Sequence, residues 1–136
     1  MFLHLFNDAQ QKAFLALARQ FIDSDQKLAE GEKNLLELMY AEMGQDFDAE
    51  LPQGDVETLT QPFDSRQARA AVLLELIGVG HADDDFSPEE NDFVRQVAQR
   101  FGITEGEVDE MDRWVERQLA LAQEVEGFWS GDRAAA

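Results

Sequence analysis

The chain has 136 residues, 44% of them hydrophobic and ten of them phenylalanine, enough for one domain with a sizeable buried core. Twenty-nine acidic against eleven basic residues give a formal charge of −18, which repels nucleic-acid phosphates and anionic lipid surfaces and favours cations or a basic protein partner. With no cysteine there is no disulfide framework, thiolate metal site or thiol nucleophile, and no apolar run approaches the roughly 20 residues that span a bilayer.

The N-terminal MFLHLFND lacks a basic n-region, a long apolar stretch and a small-residue cleavage site, so a cytoplasmic location without signal peptide or membrane insertion is expected. Asn7 with Gln10 makes an N-cap pair, and Phe14, Leu15, Leu17, Ala18, Phe21 and Ile22 recur at helical spacing, predicting a first long helix to about Asp23. A second runs from about Glu30 to Met43 on a stripe of Leu35, Leu36, Met39 and Met43, with Gly44 as its stop. Residues 45–61, with Pro52 and Gly54, read as a connector carrying a short helix over DVETLT. The next helix starts near Asp64 or Ser65 and ends at Gly78 or Gly80, and the fourth spans about Pro88 to Phe101, stopping at Gly102. Thr104 with Glu107 reads as a capping box opening a last long helix through Glu126, before Gly127. On that helix Trp114, spaced with Met111, Gln118 and Leu121, is expected in the core; the terminal Phe128 and Trp129, like MFLHLF, could anchor a partner but are expected rather to fold back on the bundle. No segment alternates with strand period, so the class is all-α.

Sliding the chain by 58 residues lays one helix-turn-helix on the other without a gap: Leu15 on Leu73, Asp25 on Asp83, Leu28 on Phe86, Glu32 on Glu90, Leu36 on Val94, Gly44 on Gly102. The expected architecture is therefore a single domain over 1–136: a helical bundle of two repeated units, about 10–44 and 68–102, joined by a connector of about 45–63 and followed by a long C-terminal helix. A helical hairpin cannot bury its apolar face alone, so the two copies should pack on each other.

Both copies carry an acidic turn, Asp25 to Glu32 and Asp83 to Glu90, and each admits two readings. As helix starts, Ser87 is an N-cap, Pro88 occupies the first helical position, and Glu89 and Glu90 suit the positive end of the helix dipole, with Glu90 closing a capping box. Leu28 and Phe86 then tuck each turn into the core. That reading leaves Asp83, Asp84 and Asp85 unexplained, three like charges ahead of the cap, and clustered carboxylates are what Ca²⁺ or Mg²⁺ selects. The candidate ligands are Asp83, Asp85, Glu89 and Glu90, with Asp25 and Glu32 as first-copy counterparts. The site is not an EF-hand: counted from Asp83, the loop positions that need glycine and the closing glutamate hold Pro88 and Val94. His81, two residues before Asp83, reads either as a nitrogen ligand or as a helix C-terminal dipole partner.

At these residues the sequence resembles the TerB-like family associated with bacterial tellurite resistance, over about residues 10–122. The resemblance rests on Ala82-Asp83, Phe86 and Ser87-Pro88-Glu89-Glu90, and on Asp25, Leu28 and Glu32 in the first copy; Asp84 and Gln26 stand where the family commonly has glycine. It implies an all-helical two-repeat bundle, divalent-cation binding by the acidic residues, and a role in stress-response or membrane-associated assemblies, without an established catalytic activity. The residues themselves argue against an enzyme: two histidines, no cysteine, no glycine-rich phosphate loop and no serine in a nucleophile motif. The expectation is an acidic interaction domain, binding a protein partner or a further copy of itself, with a divalent cation in the acidic turns. The alternative is a cation-independent scaffold whose turns are only caps.

Overall fold

The computed structural model describes residues 2–24, 30–46, 50–81 and 86–131, with the side chains of 30–32 excepted. Asp25, Leu28, Asp83, Asp84 and Asp85 lie outside the described residues, as does the side chain of Glu32. Among the described residues the secondary structure is helical throughout: a 3-10 turn over Leu3–Leu5, then α1 (Asp8–Asp23), α2 (Glu30–Glu42), α3 (Val56–Thr60), α4 (Arg66–Gly80), α5 (Pro88–Phe101) and α6 (Glu105–Ser130). The starts of α4 and α5 each lie 58 residues after those of α1 and α2, the offset of the sequence pattern.

Local chemistry explains each start. Asn7 accepts the Gln10 N–H while the Gln10 side chain accepts the Asn7 N–H, so both exposed donors of the α1 terminus are satisfied reciprocally. Asp55 caps α3 through the Thr58 N–H, and Ser65 caps α4 through the Ala68 N–H. The box expected at Thr104 is half made: its hydroxyl accepts the Glu107 N–H, but the Glu107 carboxylate turns to that same hydroxyl and to the Arg66 guanidinium instead of to the Thr104 backbone. A nearby cation outcompetes a single neutral N–H for a carboxylate.

Helices α1 and α4 form the centre. Six consecutive α1 residues, Ala13 to Ala18, are buried, and α4 buries Val72, Leu73, Leu76, Ile77 and Val79, so both helices are covered on most of their circumference. Around this pair, α3 lies against α1 and α5, while α6 lies against α4 and α5. The N-terminal segment folds back as expected: Leu3 and Phe6 are buried, and the Phe2 N–H donates to the carboxylate of Glu75, itself buried within α4, at 2.6 Å. Phe6 stacks on Phe14 and meets Phe63 edge-on, and Phe63 meets Phe101, tying the N-terminus to α1, the α3–α4 linker and α5.

The last helix departs from expectation. It continues past Gly127 to Ser130, and Gly131, at φ 79°, closes it with its N–H on the Gly127 carbonyl. An interior glycine costs a helix about 1 kcal/mol, less than is needed to stop it, whereas the left-handed cap requires a residue such as Gly131. Trp114 is not core but 37% exposed, leaning on Phe2, and Leu121, Phe128 and Trp129 are 64%, 68% and 79% exposed, so the C-terminal aromatics do not fold back. The bundle is filled from α6 by Val108 and Val115.

The end of α4 is set by contact with rings. A Cβ on Gly80 would stand 3.1 Å from both Phe21 and Phe86, and Phe21 is itself fully buried with Phe86 and Phe93 edge-on to it. Gly78, two residues earlier in the same helix, would place a Cβ with nothing within 4 Å. Gly78→Ala is therefore expected to stabilise the fold by up to about 1 kcal/mol through helix propensity. Gly80→Ala should forfeit that gain and lower the melting temperature. Thermal unfolding of the pair checks this, and equal stabilisation by both would contradict the close packing at Gly80.

Candidate functional site

The described flanks of the second acidic turn are His81, which caps α4, and Phe86-Ser87, which lead into α5. On the α5 side the predicted helix start forms its full capping box. Ser87 accepts the Glu90 N–H and Glu90 Oε1 accepts the Ser87 N–H, both at 3.1 Å, with Pro88 inside the first turn. Glu90 has no exposed surface, while Glu89 is exposed. Of the sequence-predicted ligands that the structure describes, Glu90 thus works as a cap from inside the fold and Glu89 stands on the surface.

On the α4 side the structure assembles a group that no local pattern announces. The backbone of His81 continues the helix, its N–H donating to the Ile77 carbonyl at 3.0 Å. Its ring lies edge-on to Phe86, centroids 5.0 Å apart, which restricts the imidazole to a narrow range of orientations. Nε2 meets Asp112 Oδ1 at 2.5 Å and lies 4.0 Å from Glu116 Oε1. Asp112 and Glu116 are one helical turn apart on α6, so their carboxylates project from the same side. The ring and Asp112 are half-buried, and Glu116 is exposed at the rim.

One nitrogen and two carboxylate oxygens all lie within 4.8 Å of one another. Ligands at about 2.0–2.2 Å from a divalent ion stand roughly 3 Å apart, so these three atoms would have to draw closer to share one centre. In the ground arrangement the same atoms make a carboxylate–imidazole contact that ties the end of α4 to the middle of α6. Sequence reading found His81 and set it against the acidic turn. It missed Asp112 and Glu116, because the 31 residues between His81 and Asp112 are bridged only by the packing of α6 on α4. The one local signal was the pair of acids a turn apart, a spacing common on any solvated helix.

The sequence from Asn7 to Arg113, which runs from the α1 cap through the first third of α6, matches the family model described as tellurite resistance protein TerB. The chain belongs to the TerB family. No curated protein and no solved structure matches it. The TerB match takes in His81, the acidic turn, the Ser87 cap and Asp112, and stops short of Glu116 and of the exposed second half of α6. Among the described residues of this TerB-family domain no helix is long and apolar enough to cross a membrane.

The cap makes a prediction independent of any ligand. Ser87→Ala should cost about 1 kcal/mol of stability. Glu90→Gln, which keeps a side-chain oxygen for the Ser87 N–H as Gln10 does in α1, should cost less than Glu90→Ala. Denaturant unfolding of metal-free protein measures all three, and an unchanged midpoint for Ser87→Ala would contradict the cap.

Proposed function

We propose that this TerB-family domain is a non-catalytic binding module that holds a divalent cation between α4 and α6 and presents its acidic surface to a protein partner. His81, Asp112 and Glu116 are the central ligands. Asp83 and Asp85, which follow His81 by two and four residues in the sequence, are the acidic residues proposed to add to this set. The observation that carries this reading is the convergence of an imidazole and two carboxylates on one point, with the ring braced by Phe86.

The donor set also selects the ion. Carboxylates alone would favour Ca²⁺ or Mg²⁺, but an imidazole nitrogen shifts the preference toward first-row ions such as Zn²⁺ or Mn²⁺. A surface of this charge raises the local concentration of any cation and opposes direct capture of tellurite, which is an anion. In a resistance or stress-response system the domain would therefore act through a cation or a partner rather than by binding the oxyanion. The absence of cysteine and of a serine nucleophile motif supports a binding role over a catalytic one.

A second reading is favoured by the direct His81–Asp112 contact: a cation-independent scaffold in which imidazole and carboxylate simply clamp α4 to α6. The two separate in a thermal melt of metal-stripped protein with Zn²⁺, Mn²⁺, Ca²⁺ or Mg²⁺ at fixed ionic strength. An ion bound only to the folded state at a hundred times its dissociation constant adds about 2.7 kcal/mol. The expected result is stabilisation by Zn²⁺ or Mn²⁺ beyond the other ions, lost in Asp112→Asn with Glu116→Gln and weakened in Asp83→Asn with Asp85→Asn. Four ions acting alike, or the α6 double variant responding like wild type, would overturn the cation reading and leave the clamp.

A further inference from the structure

Helix α6 extends beyond the residues matched by the family model and carries an apolar stripe that the bundle covers only at its upper end, where Met111 packs on the core and Trp114 on Phe2. Met111, Trp114, Gln118, Leu121, Val125 and Phe128 follow one another at alternating spacings of three and four, the pattern of a helix seam that receives another helix. Its upper part leans on the bundle at Phe2, whereas Leu121, Val125 and Phe128 are 64%, 39% and 68% exposed. This stripe lies roughly a third of a turn around the helix from Val108, Val115 and Leu119, which face the core.

Charge is distributed unevenly along it. Beside Met111 and Trp114, the groove at Leu74 is lined by Arg66 paired with Glu107, by Glu110, and by Arg113 and Arg117, and among the described residues neither Arg113 nor Arg117 is in an ion pair. Toward the C-terminal end the flanking charges are Glu124 and Glu126. The groove end of the stripe thus keeps a small excess of arginine over glutamate while the other end is acidic, on a chain in which acids outnumber bases by 29 to 11. A helix with this polarity complements itself only when its copy runs the opposite way.

We propose that the second half of α6 pairs antiparallel with the same segment of a second copy of this chain. In the register that aligns the seams, Gln118 faces the second copy's Leu121, Trp114 its Val125, and Met111 its Phe128. Arg117 then flanks Glu124 of the other copy, twice by symmetry, as an isologous interface requires. The groove at Leu74 and Trp114 receives the aromatic end of the partner helix, where an arginine over an aromatic ring adds a cation–π contact. A polar Gln118 opposite leucine costs some stability but disfavours slipped registers. Two chains of −18 repel one another overall, so pairing is strongest where salt screens the distant charges while adjacent pairs persist. The inference is independent of the cation reading, because neither His81 nor the acidic turn takes part.

Sedimentation of the full chain across a concentration series at near-physiological salt provides the test. A monomer–dimer equilibrium is expected, weakened at least about tenfold by Leu121→Asp with Val125→Asp, whose exposed positions leave the helical circular dichroism unchanged. Arg117→Glu and Glu124→Arg should each weaken the dimer, and the two together should restore it, since the swap re-forms both pairs. A monomer at every concentration overturns the proposal. So does a dimer indifferent to the seam variants, or single charge reversals that the double variant fails to rescue. If the aspartate pair unfolds the chain, the charge swap still decides.

Discussion

The structure depends most on the contact of the Phe21 ring with the bare backbone of Gly80. That contact lets the end of α4 sit against α1 and brings Phe86, the first described residue beyond the acidic turn, edge-on to the same ring. Both ends of the turn are therefore held by one buried aromatic side chain. His81 follows Gly80 directly, so its imidazole has little choice but to lie against Phe86 and face α6. A side chain at residue 80 would push the rings aside and with them the position of the imidazole. In this fold the geometry of the candidate site is a consequence of core packing.

Helix α6 carries three tasks on three faces. One face fills the bundle with Val108 and Val115; a second projects Asp112 and Glu116 toward His81; the third displays the apolar seam. A 26-residue helix spans about 39 Å, longer than the bundle needs, which explains how its second half extends into solvent. The family match ends at Arg113, before that extension.

Most of the fold was legible from caps and periodicity. Among the described residues, five of the six α-helix starts fall within a residue or two of a serine, threonine, asparagine, aspartate or proline signal, and Gly44 and Gly102 take the left-handed conformation that ends helices. The last helix was misread because glycine is an ambiguous signal: Gly127 has the look of a stop, yet the cap falls at Gly131. Trp114 was misplaced because an exposed apolar stripe and a core stripe differ in sequence only by what happens to cover them. At the site, the helix-start reading of Ser87 and Glu90 came from local chemistry and needed no tertiary information. Asp112 and Glu116 could not be found that way. Their relation to His81 exists only through the packing of α6 on α4.

The central claim is that the imidazole of His81 ligates a divalent ion, and the most direct measurement is a long-range ¹H–¹⁵N spectrum of the histidine rings during addition of Zn²⁺ to metal-stripped protein. The chain has two histidines, and His4, exposed in the N-terminal 3-10 turn, is an internal control. The account predicts that Nε2 of His81 shifts to a metal-bound position at stoichiometric ion while His4 is unaffected. An unchanged His81, or two histidines responding equally and only at excess ion, would contradict it and leave the contact with Asp112 as a clamp between helices.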